Sequence, residues 1–409
     1  MTHEVSPAVS ELLKDCPKNW GKWGADDEVG ALNYLGPQQA LAALGSVRSG
    51  KVFTLTLPMA DPKGDPVWPG RRGAERSQVI DEGHWLCGKA PQFPGGQHYA
   101  DDMISAYLQG STQYDALGHV WYDGQLYKGY DARSTIGGLD RASVQPIGEK
   151  GVVGRGVLLD IARLRGKECL DKGETFTHED LLKAAEVQGT EICKRDIVVI
   201  RTGFLESFYR LGADEFYKDF IEPGLTYSPE LVDWFHKMEI PNLVTDTIAN
   251  EVTVDPVNGA LLILHGALMR NLGVTFTELA GLGKLAADCA EDGQWDFLHV
   301  AAPLKGVNGT RGPVKPPVFK GKLNEPVRRS RERRGRTDSR RTAMSDMEHD
   351  RPGTRPVAIV TGGLQGLGLG AVLELGKSGF DVAIVDLPDA PVMPAELSQV
   401  EAAGGRCRS

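Results

Sequence analysis

Residues 109–119 read Gln109-Gly110-Ser111-Thr112-Gln113-Tyr114-Asp115-Ala116-Leu117-Gly118-His119. The run sets an amide, a carboxylate and an imidazole within seven residues, oxygen and nitrogen donors suited to a divalent metal. Two-residue spacing puts Gln113 and Asp115 on the same side of an extended segment. Gly110, Ser111 and Gly118 allow the backbone to approach a metal or substrate closely.

Three residues of one loop seldom close a metal site, so further donors are expected from elsewhere. Asp246-Thr247 ends a predicted strand. His265 sits inside a helix of otherwise apolar residues, and Glu278 lies thirteen residues later, after a turn at Gly273.

Around these positions the chain alternates strands and helices, the pattern of an α/β domain. Val52–Leu57 alternates as a strand, residues 151–161 end in a buried strand, and Asp196–Arg201 is a second apolar run. Thr177 to Asp180 has the form of a capping box opening a helix to about Gln188. Ser228–Lys237 is a helix with Pro229 in its first turn, Leu243–Asp246 a strand, and Leu261–Leu272 a helix stopped by Gly273. Helix is also expected from Pro37 to Ala43. Residues 60–100 are rich in Pro, Gly and charge and read as a long loop able to cover a site; His84 and His98 within it are expected at the surface.

The chain has 409 residues, 41% of them hydrophobic, enough for a sizeable core. Its 50 glycines and 24 prolines suit a loop-rich α/β protein better than a helix bundle. Net charge is −9, and residues 328–341 hold eight arginines against Glu332 and Asp338, so the remainder is still more acidic. An acidic body argues against a nucleic-acid enzyme. Six scattered cysteines form neither a zinc ribbon nor a disulfide framework. No signal peptide is read at the N-terminus, and the nearest apolar run, Gly259–Leu268, is too short for a membrane span. A cytoplasmic protein without membrane or nucleic-acid partners is the expectation.

The ordered residues resemble the cyclase family of metal-dependent hydrolases, which includes bacterial kynurenine formamidases and isatin hydrolases. The resemblance covers roughly residues 15–320. It runs from Trp23-Gly24-Ala25-Asp26-Asp27-Glu28 with Leu32-Asn33, through residues 109–119 at the place of a His-x-Gly-Thr-His-x-Asp-x-Pro-x-His signature. Ile200-Arg201-Thr202-Gly203 and Thr245-Asp246-Thr247 follow, and His265 with Glu278, Pro303-Leu304-Lys305-Gly306 and Gly312-Pro313-Val314 complete it. Thr112, Asp115 and His119 match the signature; Gln109 and Gln113 stand where it has histidines, and Leu117 where it has proline.

The resemblance implies a swivelling β/β/α-type domain over residues 1–322 and a homodimer or higher homo-oligomer. It implies hydrolysis of a C–N bond in a small cyclic or aryl amide or lactam, or of a ring C–C bond. Because amides are poorer donors than imidazole, one metal ion, Zn²⁺ or Mn²⁺, is expected, held by some of Gln113, Asp115, His119, His265 and Glu278. Such an ion lowers the pKa of its water and polarises a carbonyl. His119 is the first candidate for proton transfer, with Glu278 the alternative if His119 is a ligand. Of the flanking aromatics, Tyr114 and Trp121 are favoured to line the substrate pocket.

Past Phe319 the pattern changes. Residues 323–356 are Arg-rich, lack hydrophobic periodicity and are expected to be disordered. Residues 357–409 then read strand Val357–Val360, a glycine-rich turn with Gly362, Gly366 and Gly368, a helix, and strand Asp381–Val385 followed by Asp386. This resembles the opening of a short-chain dehydrogenase/reductase, a truncated Rossmann-like fragment, with the glycines and Asp386 as dinucleotide contacts. No catalytic Tyr-x-x-x-Lys pair follows, so NAD(P) is not expected as a working cofactor. Met344 reads like a native start, which implies that two neighbouring genes are joined here. Against the hydrolase stand three other readings: a dinucleotide-dependent oxidoreductase through the C-terminal glycines, a nucleic-acid binder using the arginine tract, and a family member that binds without catalysis.

Overall fold

The computed structural model describes residues 7–320 and, beyond them, residues 357–361, 375, 381–385 and 407–408. The chain divides into two units at Arg329 and Ser330.

The first unit is built on a nine-stranded sheet. Its strands run, in spatial order, Lys51–Thr54, Pro317–Lys320, Asp296–Ala301, Val152–Asp160, Ile197–Arg201, Asn242–Thr245, Thr275–Glu278, Gln113–Asp115 and Arg311–Pro313. The four strands Val152–Asp160, Ile197–Arg201, Asn242–Thr245 and Thr275–Glu278 pair in parallel. The strands flanking them are antiparallel. Parallel strands are covered on both faces, so they read as continuous apolar runs. Val198 and Ile200 enter one core with Val157, Leu159, Leu243 and Phe276. Ile197 and Val199 enter the other with Leu158, Val244, Tyr114 and Phe297. This is the two-residue alternation of a strand.

Helices connect the parallel strands. His178–Gln188 opens on Thr177, which accepts from Glu179 N while Asp180 accepts the Thr177 N–H, and closes on Gly189 in the left-handed region (φ 66°). Pro229–Met238 is capped by Ser228, whose hydroxyl accepts from Leu231 N. Both follow the sequence reading, as does Pro37–Leu44.

Two regions differ from it. Within the expected loop at 60–100, Glu75–Ile80 pairs antiparallel with Asp101–Ser105, and Glu82–Leu86 is a short helix. Nearly every residue of this ribbon is exposed, so no face is apolar and periodicity carries no signal. His84, on that short helix, is half-buried against Asp81, and His98, in the segment before Asp101, is exposed against Glu82. The expected helix at 261–272 is a π-helix over His265–Asn271, a widened turn that sequence spacing does not distinguish from an α-helix and that recurs at functional sites.

In the second unit, Val357–Thr361 pairs parallel with Asp381–Val385, which pairs with Cys407–Arg408. The two strands expected there are present. Gly362, Gly366, Gly368 and Asp386, like the arginine tract at 323–356, lie outside the described residues. Among the described residues no helix is long and apolar enough to cross a membrane.

Candidate metal centre

The site forms where the parallel strand Thr275–Glu278 ends beside the short antiparallel strand Gln113–Asp115. Register places Gln113 opposite Glu278, and on the other side Asp115 opposite Arg311. Thr112 pins the start of this strand: its hydroxyl donates to Leu279 O (2.7 Å) and accepts from Leu57 N (2.9 Å). Glu278 is followed by Leu279 at φ 56°, a conformation unfavourable for leucine that turns the chain sharply at the strand end. Gln113 and Asp115 share one face of the strand; Tyr114, between them, points to the other.

On the shared face three donor groups converge. Asp115, His265 and Glu278 each offer one ligand atom, all within 4.8 Å of one another, and all three side chains are buried. His265 Nε2 lies 3.6 Å from Glu278 Oε1 and 4.0 Å from Asp115 Oδ2. Both of those carboxylate oxygens, and Gln113 Oε1, are buried without a hydrogen-bond partner. Unpartnered buried acceptors are costly in a protein interior. Two oxygens facing an imidazole nitrogen are a donor set suited to a divalent cation, so the residues present fit a metal ion.

The imidazole is aimed by Glu251. Its Oε1 lies 2.6 Å from His265 Nδ1 and accepts His265 N–H at 2.8 Å, while Oε2 accepts Leu264 N–H at 2.7 Å. With the Nδ1 proton held by this carboxylate, Nε2 is the nitrogen presented to the cluster, the arrangement that orients metal-binding histidines. Glu251 is positioned in turn by a bridge to Leu225 and by Gly224, where a Cβ would come within 2.3 Å of the Glu251 carbonyl carbon.

Arg311 closes the opposite side. Its Nε lies 2.6 Å from Asp115 Oδ1, Nη1 donates to Glu278 Oε2 at 2.7 Å, and Nη2 donates to His119 Nε2 at 2.7 Å. Gln113 Nε2 also donates to Glu278 Oε2, at 2.6 Å. Each carboxylate is thereby divided, one oxygen on the guanidinium and one towards His265.

The electrostatics follow from burial and these contacts. Burial pushes Asp115 up to about 8, with Arg311 opposing and Glu278 adding to the rise. Burial acts on Glu278 in the same sense, but Arg311, His265 and Gln113 outweigh it and hold that carboxyl below its ordinary value. For His265 desolvation is overcome by Glu251 and Glu278, which push it up to about 9. His119 moves the other way: desolvation and the Arg311 charge push it well below its ordinary value, so its imidazole is neutral.

The structure thus brings together Gln113, Asp115, His265 and Glu278, with His119 joined to them through Arg311. Tyr114 is not beside them. It is fully buried in the opposite core, its hydroxyl 2.8 Å from Thr275 Oγ1, because strand alternation sends neighbours of Gln113 and Asp115 to the far face. Trp121 is exposed. Asp246 stands outside the cluster: Oδ1 accepts Thr202 N–H and Oγ1–H, and Oδ2 accepts Gly203 N–H, tying together two strand ends. Sequence reading missed Arg311 and Glu251. Arg311 directly precedes Gly312-Pro313-Val314 and was within reach of that landmark; Glu251 has no local spacing to mark it.

The Cyclase family model, described as "Putative cyclase", matches residues 53–252. No curated protein matches the chain. A solved structure described as a novel cyclase is 36% identical, with a TM-score of 0.68, over 74% of this chain and 100% of that one. Isatin hydrolase A from Labrenzia aggregata is 18% identical (TM-score 0.46; 69% of this chain, 98% of that one). A predicted metal-dependent hydrolase from Bacillus stearothermophilus is 15% identical (TM-score 0.40; 67% and 100%). On the identity shared with the novel cyclase along that protein's full length, the chain belongs to the Cyclase family.

Proposed function

We propose that residues 1–322 form a metal-dependent hydrolase. It cleaves a C–N bond of a small cyclic or aryl amide or lactam, or a C–C bond of a cyclic diketone. The observation that carries this reading is the buried convergence of Asp115 Oδ2, His265 Nε2 and Glu278 Oε1, the two oxygens without partners.

Asp115, His265 and Glu278 would hold the ion, Zn²⁺ or Mn²⁺, with Gln113 Oε1 as a further donor. When bound, such an ion supplies a water of lowered pKa and polarises a substrate carbonyl. His119 is the proton carrier in this reading. It is neutral at working pH, and the bond from Arg311 Nη2 to Nε2 leaves its own proton on Nδ1. Accepting a proton at Nε2 requires Arg311 to release that bond, which frees Nη2 to donate to an oxygen that gains negative charge. His119 then delivers the proton to the leaving nitrogen or carbon.

The test is a panel of lactams, aryl formamides and cyclic diketones, assayed before and after chelation. The reading expects turnover of a panel member, lost with the metal and restored by Mn²⁺ or Zn²⁺. Turnover undiminished in metal-free protein would overturn it. A second reading, a family member that binds without catalysis, draws on Arg311, whose guanidinium already pairs with both carboxylates.

A further inference from the structure

Asp115 and Glu278 are each used twice. Their Oδ2 and Oε1 atoms face His265 Nε2. Their Oδ1 and Oε2 atoms face the Arg311 guanidinium, which also reaches His119 Nε2. Two carboxylates that each point one oxygen to either side span two adjacent cation positions. The first is bounded by Asp115 Oδ2, Glu278 Oε1 and His265 Nε2. The second is bounded by Asp115 Oδ1, Glu278 Oε2 and His119 Nε2, again two oxygens and one imidazole nitrogen, and the chain's own guanidinium fills it.

We propose that Arg311 is a resident cation in the second position, so that this chain takes one divalent ion, and that removing the guanidinium admits another. This rests on the reading of Asp115, His265 and Glu278 as metal ligands. Guanidinium is permanently protonated and presents a planar fork of N–H donors matched to carboxylate oxygens. At 3% exposure Arg311 is buried and tightly held. A second divalent ion would have to displace a charge already paired with the oxygens that the ion needs, and a buried guanidinium deprived of both carboxylates has no compensating partner in place. Without the side chain, Asp115 Oδ1, Glu278 Oε2 and His119 Nε2 are left around the space it held, a wider set than the first, whose atoms lie within 4.8 Å of one another, but of the same donor types.

The experiment uses the full chain, stripped of metal and reloaded with Mn²⁺ alone. Bound ion is counted by elemental analysis after gel filtration, and the spin state is read by electron paramagnetic resonance. Wild type is expected to hold one ion per chain with the six-line signal of isolated Mn²⁺. Arg311→Ala and Arg311→Gln are expected to hold two, with the exchange-broadened signal of ions sharing carboxylates, while Arg311→Lys, which keeps a cation, stays at one. Two ions per wild-type chain overturn the proposal, whatever the variants do. So does a single ion in folded Arg311→Ala and Arg311→Gln, folding being checked by thermal denaturation. No ion in wild type at saturating Mn²⁺ or Zn²⁺ defeats the metal reading itself, a result distinguishable from the other two.

Discussion

Glu251 and His265 form a buried pair in which Oε1 lies 2.6 Å from Nδ1, and the same carboxylate accepts the backbone N–H groups of Leu264 and His265. One side chain therefore fixes both the start of the π-helix and the nitrogen that its histidine presents. Glu251→Gln keeps the shape but loses the charge that orients the ring. Metal affinity should fall by roughly 10- to 100-fold, measured by competition with a chromogenic chelator, with the melting temperature of the metal-free protein changed far less than its metal-induced increment.

The same pair sets the pH dependence of metal binding. In the metal-free protein His265 is pushed up to about 9 by Glu251 and Glu278, despite burial, so below that pH Nε2 carries a proton that a metal must expel. Asp115, pushed up to about 8 by burial, gives up a proton too, so apparent affinity should rise from pH 6 to 9, by up to about a hundredfold per unit below pH 8 and about tenfold per unit from there to pH 9, and then flatten. Calorimetric titration in buffers of different ionisation enthalpy checks this as net proton release at pH 7. Absence of release would remove the account of His265.

His119 gives the opposite sign. Burial and Arg311 hold it well below the ordinary histidine value, and a base with a lowered pKa stays unprotonated to lower pH. The acid limb of kcat/KM should therefore fall below pH 6.5, provided that metal occupancy is kept constant. His119→Ala should lower kcat by about 10² to 10⁴ while still binding one ion, which separates proton transfer from ligation.

Asp246 is expected to act on stability. Its carboxylate accepts three hydrogen bonds from Thr202 and Gly203 at the end of the neighbouring strand. Asp246→Ala leaves those donors unsatisfied in the interior and should cost roughly 2–4 kcal/mol, read by urea denaturation. Because Asp246 lies outside the donor cluster, the folded variant should still bind metal.

Much of the fold was legible because the central strands are buried on both faces and the helices carry explicit caps: Thr177 with Asp180, and Ser228 before Pro229. Asp115, His265 and Glu278 were legible as donor types and as landmarks in order; the sheet brings Asp115 and Glu278 together, and the π-helix adds His265. Glu251 was not, since nothing in a sequence distinguishes a glutamate that turns back onto a histidine fourteen residues later from a solvated one. Arg311 was hidden for a similar reason: its role depends on cross-strand register with Asp115. Tyr114 was misplaced because nearness in sequence to Gln113 and Asp115 is, on a strand, the reason for facing away from them. The ribbon at 75–105 escaped because exposed strands alternate nothing.

The central claim is that Asp115, His265 and Glu278 hold a divalent ion. Anomalous diffraction from crystals grown with Mn²⁺ or Zn²⁺ tests it most directly. The account predicts one peak per chain, about 2.0–2.2 Å from Asp115 Oδ2, His265 Nε2 and Glu278 Oε1, with Arg311 still bound to the outer oxygens. A map without a peak there, or with its peak at donors that exclude His265, would contradict it.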